Sequence, residues 1–258
     1  SPEYVHLLAE AFRRSFIDRN AKLADPDFVP VPREELLSKE YAARLASQIS
    51  RRRASRTPAF ETGPEPEHTT HYSVVDANGN AVATTTTING GYGSAVWVRD
   101  GGFFLNNEMD DFATQPGTAN MFGLVQGEAN AIQPGKRMLS AMAPTIVLDP
   151  AGDVLLVVGA AGGPTIITAT SQVILNVIEF GMPLTEAMRA PRVHHQALPD
   201  AIRHETVGFS EATLGRLRRM GHQLTPQPGI ANVNAVMRSG NVWHGVHEPR
   251  GTGGSVGH

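Results

Sequence analysis

The chain of 258 residues contains no cysteine. Disulfides, thiolate metal sites and thiol nucleophiles are therefore excluded from anything it does. It has no run of about 18 apolar residues, so no transmembrane helix is encoded. Neither charge sign dominates: the net charge is −3. The one dense basic run, "RRRASR" at 51–56, reads as a solvated helix end, and no nucleic-acid partner is expected. The start, "SPEYVHLLAEAF", lacks the basic-then-apolar order of a signal peptide and reads as an amphipathic helix; any export signal belongs upstream of it. There is no internal repeat, which excludes a solenoid. What remains is a chain with 41% hydrophobic residues, enough to bury the core of one large domain or one domain with an appendage.

Apolar periodicity predicts a first helix over 3–18, with Val5, Leu8, Ala11, Phe12 and Phe16 on one face. "DPDFVPVP" at 25–32 breaks it. A second helix is predicted over 34–49, with Leu36, Leu37, Tyr41, Leu45 and Ile49 as its apolar side, and 50–68 reads as a mobile linker. From residue 69 the pattern turns to strands. "HYSVVD" and "AVATTTT" flank "ANGN", and Asn78-Gly79 is a strong hairpin signal. A strand is predicted at 101–105, then a long loop, then the strands "APTIVLD" and "DVLLVVGA", a glycine turn and a long helix. Helices near 184–190 and 210–220 and strands near 222–226, 232–237 and 241–246 complete the chain. Trp97, Phe103 and Phe104 read as core. Residues 1–68 are thus helical, while 69–258 mix β pairs with packed helices, which predicts an α/β sandwich.

Four groups can carry chemistry. A threonine hydroxyl is a poor nucleophile unless a base takes its proton, and at a chain terminus the α-amino group is that base, with a reference pKa of about 7.7–8.0. Thr69 gains such an amine only if the His68–Thr69 bond is cut. A cleavable linker ending at a nucleophile on a strand explains the abrupt passage from "PAFETGPEPEH" to "TTHYSVV"; a threonine that merely favours a strand explains it too. "FFLNNEMDDFA" places Glu108, Asp110 and Asp111 after an apolar strand, where carboxylates suit an ammonium group or a metal, or simply cap a turn. Gly162 and Gly163 precede a helix, so their N–H groups suit an oxyanion or a tight turn. His194-His195 offers two metal ligands without a third and reads as a structural or surface pair.

Together, "TTHYSVVDANGNAVATTTTING", "LNNEMDDF", "PGTANMFGLVQGEANAIQPGKRMLSAMAPTIV" and "GGPTIIT" resemble the γ-glutamyltranspeptidase family, in family order and near-family spacing. "DRNAKLADPDFVPVP" and "APRVHHQ" add weaker agreement, and the resemblance covers essentially the whole chain. It implies an N-terminal nucleophile hydrolase fold, a four-layer αββα sandwich that is incomplete without an upstream segment. It also implies a zymogen that cuts itself before Thr69. Residues 1–68 then match the end of the large subunit and 69–258 the small, catalytic subunit, with the upstream segment as heterodimer partner. By the same resemblance Thr69 is the nucleophile and Thr87 hydrogen-bonds it. Asn89, Glu108 and Asp111 hold the α-amino group of a γ-glutamyl moiety, Ser140 contacts its α-carboxylate, and Gly162 and Gly163 form the oxyanion hole. The reaction implied is two-step acyl transfer from γ-glutamyl amides such as glutathione to water, an amino acid or a peptide. It needs no metal or organic cofactor and takes place in the periplasm or outside the cell.

Three departures bear on these expectations. Family chains extend much further upstream, and the part not represented here carries an arginine for the substrate carboxylate. Ser140-Ala141 stands where the family often has paired serines. Phe122 stands where many bacterial members have tyrosine. The last two leave room for a related acylase, of the glutaryl-cephalosporin or poly-γ-glutamate type. The first leaves room for a truncated homologue acting only as a structural or binding module.

Overall fold

The computed structural model describes residues 1–57, 69–251 and 253–257. In chain order its elements are α1 (Pro2–Lys22), α2 (Arg33–Leu37), α3 (Lys39–Ser47), β1 (Thr69–Val75), β2 (Ala81–Thr87), β3 (Trp97–Val98), β4 (Phe103–Phe104), β5 (Thr145–Leu148), β6 (Val154–Ala161), α4 (Thr165–Ile178), α5 (Leu184–Arg189), β7 (Val193–His194), β8 (Ile202–Glu205), α6 (Glu211–Arg219), β9 (Leu224–Gln227), β10 (Asn232–Ser239) and β11 (Val242–Val246), with 3₁₀ turns at Glu108–Asp111 and Glu128–Asn130. The described residues form two compact units interleaved in sequence: 1–57, 108–140 and 193–228 in one, and 69–107, 141–192 and 229–257 in the other.

In the first unit, α1 starts where Ser1 accepts a hydrogen bond from the Tyr4 N–H at 3.2 Å and Pro2 occupies its first turn. Both features favour a helix start. Of its predicted stripe Val5, Leu8, Phe12 and Phe16 are buried and Ala11 is exposed; the helix runs on to Lys22 and ends only where Leu23 turns extended. The second predicted helix is two. Ser38 is extended and its hydroxyl caps α3 by accepting from Tyr41 N–H at 3.1 Å, because a serine that satisfies a free N–H starts a new helix in preference to continuing an old one. Of the apolar side expected there, Tyr41 alone is buried and Leu37 is 83% exposed. Residues 50–57 are tied down, contrary to the linker reading. Ala54 is buried, and its N–H donates to the Met220 carbonyl at 2.7 Å. The N–H of Ser55 donates to Glu10 at 3.0 Å and that of Thr57 to Asp200 at 2.9 Å. The rest of that reading, 58–68, lies outside the described residues. The strands β7 and β8 pair antiparallel and β8 and β9 parallel; of this sheet the sequence predicted β9, near 222–226, and missed β7 and β8, which have only two and four residues.

In the second unit, the hairpin β1–β2 has the predicted place. Its register runs from Thr69↔Thr87 to Val75↔Ala81. At the turn the Asp76 carboxylate accepts from the Asn78 and Asn80 N–H groups, and Gly79 takes φ +82°, a value glycine adopts at no steric cost. The larger sheet has the order β11-β10-β6-β5, all antiparallel. The hairpin packs on one face of it and α4 on the other. Leu156, Val158 and Ala160 of β6 join Ile166, Ala169 and Val173 of α4 in the core. Strand β6 is therefore covered on both sides, which accounts for its unbroken apolar run. The outer side of the hairpin carries Tyr72, Val74 and Val82 at about half exposure. The fold is mixed α/β, and this unit supplies three of the four expected layers in order: hairpin, sheet, helices. Trp97 and Phe103 are half exposed rather than core. They lie on the two-stranded ribbon β3–β4, where Trp97 packs on Phe104, ring centroids 4.9 Å apart. Among the described residues no helix is long and apolar enough to cross a membrane.

Candidate active site

Alternation along β1 puts Thr69, His71 and Ser73 on the inner side of the hairpin, and antiparallel pairing sets Thr87 directly opposite Thr69. The Thr69 hydroxyl donates to Thr87 Oγ1 at 3.1 Å, and Thr87 Oγ1 also accepts the Asn89 N–H at 2.8 Å. Thr87 is thereby oriented from two sides and holds the Thr69 oxygen in one place. Asn89 is buried at φ +71°, a region open to asparagine, and its side-chain amide donates to the Asn107 carbonyl at 3.2 Å. A cavity of about 350 Å³ opens here, lined by Thr69, Thr70, Thr86, Thr87, Ile88 and Gly91. It is large enough for a small acyl substituent. The predicted nucleophile, its threonine partner and Asn89 are thus brought together. The His68–Thr69 bond, whose cleavage was expected, lies outside the described residues.

Gly162 and Gly163 form the bend between β6 and α4, with φ of +138° and +51°. A Cβ on Gly162 would meet Thr165 Oγ1 at 2.6 Å and Ala231 Cα at 3.0 Å, so the position excludes a side chain. The bend puts both glycines at the positive end of the helix dipole of α4. They are not among the residues lining the 350 Å³ cavity.

The acid-bearing 3₁₀ turn belongs to the first unit. Burial is the main reason that the Asp111 carboxyl is pushed up to about 7; the negative charge of Glu108 adds to this and the Arg19 guanidinium opposes it. Glu108 is also raised by burial and is hydrogen-bonded to Asp111. Two carboxyl groups in such contact share a proton and titrate as a pair. Such a pair suits an ammonium group, whose positive charge lets both ionise. The segment leading to exposed Ser140 is pinned twice. Arg137 donates from Nε and Nη2 to the Asp25 carboxylate at 3.0 and 2.6 Å, and Leu139 N–H donates to Asn130 Oδ1 at 3.2 Å.

Sequence reasoning missed several members of these sites. Buried Arg19, which faces the charge of Asp111, stands in "DRNAKLADPDF", and only the weaker stretch of resemblance pointed to it. His71 sits two residues beyond Thr69 with Nδ1 2.7 Å from Thr85 Oγ1 and Nε2 3.1 Å from Ser73 Oγ. Burial lowers its pKa to about 4, so it is neutral near pH 7. His194 and His195 are both buried, so they are structural and not a surface pair: His194 Nε2 lies 2.8 Å from Gln196 Oε1, and His195 faces Asp200. A different trio, His6, Glu10 and His222, has ligand-type atoms all within 4.8 Å. Those atoms already serve one another and their neighbours. His6 Nδ1 lies 2.7 Å from His222 Nε2, and Glu10 accepts from Ser55 and from Arg14 at 2.7 Å. Two nearby arginines oppose a further cation there.

All 258 residues match the family model described as Gamma-glutamyltranspeptidase. The chain is 44% identical over 256 residues to the glutathione hydrolase proenzyme of Pseudomonas aeruginosa, covering 98% of this chain and 46% of that protein. It therefore spans about half the length of the curated relatives it matches. Among solved structures, a γ-glutamyltranspeptidase from Pseudomonas nitroreducens complexed with L-DON matches with a TM-score of 0.70 and 44% identity, over 73% of this chain and 99% of that one. A cephalosporin acylase from Bacillus halodurans matches with a TM-score of 0.79 and 25% identity, over 97% of this chain and 44% of that one. With a family model matched over all its residues and relatives at 44% identity in sequence and structure, the chain belongs to the γ-glutamyltranspeptidase family.

Proposed function

We propose that the protein is an autoprocessing γ-glutamyl hydrolase and transferase that cleaves γ-glutamyl amides, glutathione among them, through an acyl-enzyme on Thr69. The observation that carries this reading is the Thr69–Thr87 hydroxyl pair at 3.1 Å beside a cavity, at the start of a strand, in a member of this family. Cleavage before Thr69 divides residues 1–68 from 69–258. The match to nearly all of a solved chain by 73% of this one supports that division. The partner of the small subunit is then the large subunit, including its upstream portion, and the site of action is the periplasm or the cell exterior.

The freed α-amine of Thr69 takes the hydroxyl proton as Oγ1 attacks the γ-carbonyl. The carbonyl oxygen gains charge, which the Gly162 and Gly163 N–H groups and the start of α4 stabilise. The tetrahedral adduct collapses with the proton passing to the leaving amine, and the γ-glutamyl ester remains on Thr69. Water or an acceptor amine then repeats the sequence in reverse. Glu108, Asp111 and Asn89 receive the substrate α-ammonium group and Ser140 its carboxylate. A second reading, a related acylase, is supported by Ala141, by Phe122, buried with its carbonyl accepting from Gln196 at 2.8 Å, and by the likeness to the cephalosporin acylase.

The test is made on the protein as its gene encodes it. Intact-mass spectrometry is expected to show a break before Thr69, with residues 69–258 as a separate chain. Turnover of a chromogenic γ-glutamyl anilide is expected to exceed that of the glutaryl anilide. The Thr69→Ala variant is expected to stay uncut and to lose both activities. Full turnover in that variant removes the threonine mechanism, and faster glutaryl turnover selects the acylase reading.

A further inference from the structure

We propose that Asn130 is a positioning residue that sets the Asp111 carboxyl and the Ser140 hydroxyl at a fixed separation, an inference that rests on the γ-glutamyl reading above. Asn130 is fully buried, ends the 3₁₀ turn Glu128–Asn130 and is bonded to both functional segments. One end of its side chain donates: Nδ2 reaches the Asp111 carbonyl at 2.7 Å and also Gln126 Oε1. The other end accepts: Oδ1 takes the N–H of Leu139, the residue before Ser140, at 3.2 Å. Its backbone carbonyl accepts from Ala113 N–H at 2.9 Å, two residues beyond Asp111. Gln126, also buried, adds a second donor to the Asp111 carbonyl at 3.3 Å.

The turn itself is held by Lys136. Its ammonium group donates to the carbonyls on both sides of Asn130, Ala129 at 2.7 Å and Ala131 at 2.9 Å. Asn130 therefore cannot drift, and the two chain segments bonded to its side chain cannot move independently. Only an amide has a donor and an acceptor at opposite corners of a short, flat group. Aspartate would keep the Leu139 bond, lose the Asp111 bond and add a buried negative charge. Alanine would lose both bonds, leaving the Leu139 N–H without this partner and the Asp111 carbonyl with the longer bond from Gln126. The groups that receive a substrate ammonium and a substrate carboxylate must keep their spacing, because displacement of about 1 Å can cost on the order of 10²-fold in rate.

The experiment measures KM and kcat of the processed, full-length protein on a γ-glutamyl anilide and on the glutaryl anilide, which lacks the α-amine. Asn130→Ala is expected to raise KM for the γ-glutamyl substrate about tenfold, with a smaller change in kcat. Asn130→Asp is expected to lower the preference for γ-glutamyl over glutaryl substrate. Gln126→Leu, a milder change, is expected to raise KM in the same sense and by less, and it decides the matter if Asn130→Ala fails to fold. A purely structural role would lower the melting temperature and the active fraction while leaving KM as it was. KM values within twofold of the parent, in a series where Asp111→Asn does raise KM, overturn the inference alone. A parent without γ-glutamyl turnover, or an Asp111→Asn variant with unchanged KM, overturns the functional reading and this inference with it.

Discussion

Asp111 illustrates how a residue acquires a property that its type does not have. An exposed aspartate is ionised at neutral pH, but burial beside Glu108 moves this one to about 7. Its neutral form dominates below that value. A bound ammonium group favours the ionised pair, so affinity for glutamate, the product under the proposed function, is expected to rise as pH increases through about 7. In Asp111→Asn that step is expected to vanish. Calorimetric titration of the processed protein across this range makes the comparison, and a step of the same size in the variant would show that another group controls binding. In stability the sign is the reverse. The contribution of the protonated Asp111 is complete below its ordinary value of 3.8 and is lost as pH rises through about 7.

At the scale of elements, the hairpin and the sheet are fitted to each other through a missing side chain. The His71 ring occupies the space where a Cβ on Gly159 of β6 would stand, 2.3 Å from the nearest ring atom. The Asn234 side chain on β10 adds a hydrogen bond to the His71 carbonyl at 3.0 Å. The strand that carries Thr69 is thereby held on the sheet two residues beyond the hydroxyl. Gly159→Ala is expected to cost about 1–3 kcal/mol by overpacking and to lower activity as Thr69 shifts. Thermal unfolding checks the first part. Recovery of stability in Gly159→Ala combined with His71→Ala would confirm the contact; an unperturbed single variant would refute it.

For the molecule as a whole, stability in acid depends on buried carboxylates. Glu10 joins α1 to residues 50–57 through Ser55 and pairs with Arg13 and Arg14 of its own helix. Burial alone would raise its pKa, but the hydrogen bonds from Ser55 and Arg14 outweigh burial and lower it to about 2. A depressed carboxylate stabilises the folded state above its ordinary value of 4.5 and ceases to do so as pH falls toward 2. Glu10→Gln removes the carboxylate that Arg13 and Arg14 share, leaves Asp200 as the remaining acidic partner of Arg13, and is expected to destabilise the protein by about 3 kcal/mol at neutral pH. It should also flatten the loss of stability below pH 4.5. Melting temperatures of parent and variant at both ends of that range test this; equal midpoints at neutral pH would mean that the network holds nothing together.

Much of this protein is written locally. The periodicity of α1, the Asn78-Gly79 turn, the alternation that puts Thr69 and His71 on one side of β1, and the glycine bend before α4 all follow from near neighbours along the chain. So does the order of motifs by which the family is known. What tertiary structure alone decided is which distant groups meet. No local pattern says that Arg19 faces Asp111, that His71 needs Gly159 bare, or that residues 50–57 are tied to Glu10. Nor does any show that one asparagine joins the acid turn to the segment before Ser140. Trp97 and Phe103 make the same point in reverse: their type says core, but a two-stranded ribbon left them half exposed. Hydrophobicity and backbone propensity act over a few residues, whereas burial, pKa and hydrogen-bond partnership are properties of the neighbours that folding brings together.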